Sequence, residues 1–182
     1  MKAPAHLETA RLILRPPTLD DAAVIFERYA SDPEVTTFLG WPRHQTIQDT
    51  EAFVQFSTDE WARWPAGPYL IVARSDGRLL GGTGFAFQSP HEAATGYVLA
   101  RDAWGQGFAT EAVQAMVDVA RGIGVTRLVA FCHPAHRPSQ RVLEKCGFVL
   151  DGPPTRLTEF PNLAPGIQQD ALSYARLAAT GV

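Results

Sequence analysis

The longest regular pattern in the chain is a set of apolar residues at Ala109, Ala112, Val113, Met116, Val117, Ala120 and Ile123. The spacing i, i+3, i+4, i+7, i+8, i+11, i+14 predicts an amphipathic helix with one buried face. A short apolar run, Gly96 to Ala100, precedes it, and between them lies Trp104-Gly105-Gln106-Gly107-Phe108-Ala109-Thr110. The order is strand, glycine-rich turn, helix.

The rest of the pattern is read around that unit. Leu12 to Leu14 is a strand stopped by Pro16-Pro17, because proline cannot continue a ladder. Thr18 caps a helix with Asp20 and Asp21 in its first turn, and Asp32-Pro33 breaks it. A short helix around Glu34 to Leu39, a loop from Gly40 to Gln45 and a helix from about Ile47 to Trp64 follow, the last with Thr46 and Asp49 as its N-terminal signature. Pro68 to Ala73 and Leu79 to Phe87 read as antiparallel strands joined at Ser75-Asp76-Gly77. Glycines at 81, 82 and 84 mark a close backbone approach or a bulge. A strand from about Ala93 to Ala100 leads into the glycine turn. Beyond the long helix come a strand, Arg127 to Cys132, and a helix whose inward face carries Ser139, Val142, Leu143 and Cys146. Strands at Phe148 to Leu150 and about Gln168 to Leu177 close the chain, on either side of a proline-rich loop, Gly152 to Pro165. Sheet and helix alternate, with hairpins at each end, as in a mixed α/β sandwich.

The 182 residues fit one domain, 1–182. With 16 basic and 19 acidic residues the net charge is −3, and no lysine- or arginine-rich cluster occurs, so a basic face for nucleic acid is not expected. No run approaches membrane-spanning length and the first residues lack a signal-peptide core, so a cytoplasmic protein is expected. Cys132 and Cys146 show no C-x-x-C spacing and read as reduced core residues, with no metal site.

The glycine turn bears on chemistry. The first N–H groups of a helix have no partner within it, and the peptide dipoles place partial positive charge there. Gly105 and Gly107 let the backbone turn sharply and let a phosphate come close; taken alone they could equally make a tight connection and nothing more. A dinucleotide fingerprint needs a third glycine where Thr110 stands and an acidic residue near Arg127, which argues against a nicotinamide oxidoreductase; the Gly-Lys-Ser/Thr of a P-loop is absent. A pyrophosphate held by backbone amides remains.

The run Trp104-Gly105-Gln106-Gly107-Phe108-Ala109-Thr110-Glu111-Ala112 resembles the acyl-CoA pyrophosphate loop of the GNAT N-acetyltransferases, in the form of the RimJ/RimL-type branch. Thr9-Ala10-Arg11-Leu12-Ile13-Leu14-Arg15, Tyr97-Val98-Leu99 and Ser139 to Phe148 are similar to other pieces of that branch, in the same order, and the resemblance runs from about residue 7 to residue 178. It implies the GNAT acyl-CoA N-acyltransferase fold, an α/β fold of mixed type whose central, mostly antiparallel sheet has six to seven strands flanked by helices.

It also implies acetyl-CoA as cosubstrate, with pyrophosphate on Gly105, Gln106, Gly107, Phe108, Ala109 and Thr110 and the pantetheine arm against the backbone of Val98, Leu99 and Ala100, unless those residues pair with the next strand instead. Ser139 matches the serine of the branch's N-x-x-S pattern and is the candidate donor to the leaving sulfur; a serine satisfying a helix terminus is the other reading. Two positions depart from the pattern. The asparagine that contacts the cofactor is His136, whose charge depends on pH, and the carboxylate of E-I-G-Y is Ala94. Glu92, His133 and Glu159 are substitute bases by residue type only. Trp41, Arg43 and His44, with Glu159, are candidate acceptor contacts. The implied reaction is acetyl transfer to a primary amine of a protein N-terminus or a small molecule; the alternative is a non-catalytic acyl-CoA-binding or protein-interaction domain. Both monomer and homodimer fit.

Overall fold

The structure, a computed structural model, describes residues 1–153 and 156–177. Its strands are β1 (Leu7–Glu8), β2 (Leu12–Arg15), β3 (Tyr69–Ala73), β4 (Leu79–Ser89), β5 (Glu92–Leu99), β6 (Arg127–Cys132), β7 (Val149–Leu150), β8 (Arg156–Glu159) and β9 (Gln168–Leu177). Its α-helices are α1 (Ala22–Ile25), α2 (Pro33–Thr36), α3 (Ile47–Arg63), α4 (Phe108–Gly122) and α5 (Arg137–Lys145). The sheet runs β1-β2-β3-β4-β5-β6-β9-β7, with β8 on β9; every neighbour is antiparallel except β5 and β6.

Helices cover both faces, which is why all five residues of β3 are buried although successive side chains point opposite ways. Tyr69 and Ile71 join Leu12 and Leu14 under Ala112, Val113 and Met116 of α4 and Leu143 of α5. Leu70 and Val72 face Ile25, Tyr29 and Val54 on the other side. No helix among the described residues is long and apolar enough to cross a membrane.

Several boundaries differ from the sequence-based expectation. The segment after Thr18 is not one regular helix: a 3₁₀ turn, Leu19–Asp21, leads into α1, and a π-turn, Phe26–Ala30, follows. Ser31 explains the widening, since its N–H and Oγ both donate to the Phe26 carbonyl, at 3.2 and 2.7 Å. The helix expected to reach Leu39 stops at Thr36; Asp32 caps it by accepting the Glu34 and Val35 N–H groups. Among the described residues the sheet has nine strands rather than six to seven, because β1 adds two residues against β2 and β8 forms inside the proline-rich loop against β9. The Thr46/Asp49 capping box is present at α3.

The glycines of β4 mark close approach. A Cβ on Gly81 would lie 1.9 Å from the Val98 carbonyl oxygen, and one on Gly84, at φ +151, would lie 2.6 Å from Pro68 Cα. Backbone cannot give way as a flexible side chain can, so Gly81→Ala must displace β5. Overpacking of this kind costs about 1–3 kcal/mol, and a domain of this size loses about 2–4 °C in Tm per kcal/mol. A thermal scan should show Gly81→Ala melting several degrees below Gly96→Ala, whose Cβ meets nothing within 4 Å; equal Tm values would contradict the contact.

Candidate functional site

Gly105 and Gly107 both take positive φ, +73° and +80°, and Gly107 is the N-cap of α4. A glycine has no side chain with which to cap. The helix therefore begins with Glu111 N–H donating to the Gly107 carbonyl at 3.1 Å, and the amides of Phe108, Ala109 and Thr110 lie ahead of the first intrahelical bond, where an anion is favoured. Gln106 turns back on the loop: Nε2 donates to the Asp102 carbonyl at 2.7 Å, and its own carbonyl accepts from Arg11 Nη1 at 2.9 Å. Trp104, 43% exposed, donates its indole N–H to the Leu99 carbonyl at 2.8 Å and ties the turn to the end of β5.

The strand before this turn opens a gap. β5 pairs with β4 along its length but with β6 only from Glu92 to Ala94, opposite Arg127 to Val129. From Thr95 onward its β6-facing edge has no ladder partner, so Val98, Leu99 and Ala100 do not pair with the next strand. The Ala100 N–H is taken by the Leu80 carbonyl at 2.7 Å, and the Gly96 carbonyl points to β4, where it accepts from Thr83 Oγ1 at 2.8 Å. Alternation then places the peptide groups of Tyr97 and Leu99 on the gap edge, while Val98 stands opposite Gly82. Of the three positions expected to meet pantetheine, Leu99 has its peptide groups on that edge; Val98 and Ala100 are turned toward β4.

α5 brings Ser139 to the same gap. Pro138 lies in the first turn of the helix, where its missing N–H is no loss, and the N-cap, His136, makes no side-chain cap bond. Ser139 is 9% exposed. Burial raises the Tyr97 phenol above its ordinary range and the nearby Ser139 hydroxyl acts the other way, so the two hydroxyls are neighbours between β5 and α5. His136 is stacked on Phe38 with ring centroids 4.8 Å apart; burial, then neighbouring His133, holds its pKa below the usual value, so it is neutral at pH 7. Burial also pushes Cys132 up to about 11 and raises Cys146; both are free, buried thiols.

The substitute bases are all engaged. Glu92 is ion-paired with Arg127 at 3.0 Å, at the closed end of the gap. Glu159 Oε1 accepts the Gly166 N–H at 2.8 Å and so braces its own loop. His133 Nδ1 accepts the Ala135 N–H at 3.1 Å, which leaves the ring proton on Nε2, and the ring lies between Phe38 and Phe160. Ala94 itself is half-buried opposite Val129. Glu92 is thus held by a guanidinium, Glu159 and His133 each hold a backbone N–H, and Ala94 carries no titratable group.

On the acceptor side, Trp41 lies 5.2 Å from the His44 ring and packs against the Ile25/Tyr29 cluster. His44 Nδ1 is 2.8 Å from Thr50 Oγ1, and burial lowers its pKa. Asn162 holds this loop. Its Nδ2 donates to the Thr36 and Trp41 carbonyls at 2.8 and 2.9 Å, and its Oδ1 accepts the Arg43 N–H at 2.8 Å. Asn162 and Phe38 were not singled out from the sequence: one lies in a proline-rich loop and the other in a broken helix, and neither position has a periodicity to reveal it.

The comparisons with known proteins agree with this geometry. The Acetyltransferase (GNAT) domain family matches residues 11–149. The uncharacterized N-acetyltransferase p20 of Bacillus licheniformis is 32% identical over 149 residues, covering 80% of this chain and 83% of its own. A GNAT-family acetyltransferase from Bacillus anthracis superimposes with a TM-score of 0.79 at 25% identity, over 94% of this chain and 98% of its own. RimL, described as a ribosomal L7/L12 alpha-N-protein acetyltransferase in complex with coenzyme A, shares the fold with a TM-score of 0.78 at 23% identity, over 96% and 97% of the two chains. A glycine-capped helix beside a splayed strand pair, on a chain matched by that domain over most of its length, identifies the protein as a member of the GNAT acetyltransferase family, and by that membership an acetyl-CoA-dependent N-acetyltransferase.

Proposed function

We propose that the protein transfers the acetyl group of acetyl-CoA to an α-amine, by direct attack of the amine nitrogen on the thioester carbonyl. The observation that carries this reading is the gap between β5 and β6, which ends at the glycine-capped start of α4 and is bordered by Ser139. The two amides of pantetheine fit the Tyr97 peptide groups and the Leu99 N–H on the gap edge of β5 as a short added strand would, the Leu99 carbonyl being held by the Trp104 indole, and the pyrophosphate fits the amides of residues 105–110. As the tetrahedral adduct collapses, the C–S bond breaks and the sulfur leaves with the electron pair, to be met by the Ser139 hydroxyl. The amine's proton is lost to solvent. Much of the acceleration comes from positioning, which in the best cases offsets roughly 7–11 kcal/mol of the barrier.

The class of amine follows from what surrounds the gap. With alanine at position 94, Glu92 ion-paired with Arg127, and Glu159 and His133 each holding a backbone N–H, the reading is that the acceptor arrives already neutral. An α-amine has a pKa near 7.7–8.0 and is roughly 10% neutral at pH 7, whereas a lysine-like amine near 10.4 is roughly 0.04% neutral. That difference favours a protein N-terminus, the acceptor class of RimL, or a small molecule with an α-amine. A cytoplasmic setting fits the two unpaired buried thiols.

The pH profile tests the proposal. With a peptide α-amine as acceptor, kcat/KM is expected to rise about tenfold per pH unit and level off near pH 8, the amine's own pKa; with a simple alkylamine it should keep rising past pH 9. His136, its pKa held below the usual value by burial, is neutral where that plateau begins and adds no bend there. A bend between pH 5.5 and 7 that is the same for both acceptors would reveal a protein base and overturn this account.

A further inference from the structure

Five contacts converge on the glycine turn from a part of the chain with no assigned role. The connector between β1 and β2 carries Thr9 and Arg11. Arg11 Nε donates to Glu111 Oε2 at 2.7 Å, while the Arg11 backbone N–H and Thr9 Oγ1 donate to Glu111 Oε1 at 2.8 and 2.5 Å. Arg11 Nη1 donates to the Gln106 carbonyl at 2.9 Å, and the guanidinium lies 4.5 Å over the Phe108 ring. A Cβ on Gly107 would come within 3.4 Å of Arg11 Nη2. One side chain therefore touches Gln106, Phe108 and Glu111 and lies beside Gly107, the turn and first turn of α4, from about 100 residues away.

This arrangement answers two physical difficulties of the turn. Glycines on both sides of Gln106 give it more backbone freedom than any other composition would, and that freedom must be lost before successive amides can converge on one anion. Glu111 also places a carboxylate in the first turn of the helix, where it would repel a pyrophosphate; its side chain is only 16% exposed, and Arg11 neutralises it. Phe108 is at once a stacking partner of Arg11 and the first residue of α4.

We infer that Arg11 is a positioning residue for the acetyl donor: by bracing Gln106, Gly107 and Phe108 and cancelling the charge of Glu111, it pre-forms the turn for the pyrophosphate of acetyl-CoA. The inference rests on the acetyl-CoA reading above. It predicts an effect confined to donors that carry a pyrophosphate, which general loosening of the fold would not produce.

The test compares acetyl-CoA with S-acetylpantetheine, which keeps the thioester and both amides but has no pyrophosphate. Arg11→Met, which retains a chain able to lie on Phe108, should raise the Kd and KM for acetyl-CoA at least tenfold, leave kcat within about twofold, and leave kcat/KM for S-acetylpantetheine unchanged. Arg11→Lys, which keeps the charge without the planar fork, should recover part of the lost affinity. Arg74→Met serves as a control: Arg74 holds the same connector through the Thr9 carbonyl at 2.7 Å and Glu8 at 3.2 Å without reaching the turn, so its loss should leave acetyl-CoA affinity intact. Equal acetyl-CoA affinity in wild type and folded Arg11→Met, or equal losses on both donors, would overturn the inference. A wild-type protein that does not bind acetyl-CoA would overturn the donor reading instead, and the clamp with it.

Discussion

Gly107→Val is expected to weaken acetyl-CoA binding by at least tenfold while leaving the protein folded. Gly107 sits at φ +80°, a conformation that a β-branched residue adopts at a cost of about 1–3 kcal/mol. The new side chain also starts 3.4 Å from Arg11 Nη2. The free protein can relieve that strain by turning the 106–107 peptides out of the left-handed region, because the loop is exposed. In doing so it moves the amides of Phe108 and Ala109 off their common focus. Binding must then restore the strained turn, and each 1.4 kcal/mol of that restoration is a factor of ten in Kd. Calorimetric titration reads the effect, with a far-UV spectrum to confirm folding. An unchanged Kd in a folded sample would mean that the turn is only a connection between β5 and α4.

Ser139→Ala has the second large effect, on a different constant. A positioned acid contributes about 10²–10⁴ in rate. A thiolate leaves more readily than an alkoxide or amide, so a fall in kcat of about a hundredfold, at the low end of that range, is expected. The Kd for acetyl-CoA should stay within about twofold, because the pyrophosphate and pantetheine contacts lie on the loop and on β5. Single-turnover and steady-state rates with a peptide acceptor separate the two constants. Full turnover in Ser139→Ala would remove the assigned role and leave the serine as a buried neighbour of Tyr97.

Much of the architecture was legible in the chain. Ala109, Ala112, Val113, Met116, Val117 and Ala120 are buried on α4 as their spacing predicts, since the helical period depends on local geometry alone. The glycines at 105 and 107 take the positive φ that makes glycine useful in such a turn. The π-turn at Phe26–Ala30, the two-residue β1 and β8 in its proline-rich surroundings were not legible; each is settled by contacts outside its own segment.

The candidate site divides the same way. That the β5–β6 ladder stops after Ala94 is a property of how two strands diverge in space, and no residue of Thr95 to Leu99 announces it. The choice of Leu99 over its neighbours as a gap-facing peptide follows from the alternation of the β4 ladder. Arg11 looked like one residue of a strand motif, and its pairing with Glu111 spans the half of the chain that folds between them. Glu92, His133 and Glu159 were candidate bases by residue type; the partners that occupy them are visible only in three dimensions.

The most direct test of the account is release of free thiol from acetyl-CoA, driven by a lysine-free peptide whose single amine is its N-terminus, with the N-acetylated form of the same peptide as control. The account predicts acceptor-dependent thiol release with the free peptide and none with the blocked one. Acetyl-CoA binding with no thiol release from that peptide, or from any α-amine at pH 8, would contradict it and leave a domain that holds the donor without transferring it.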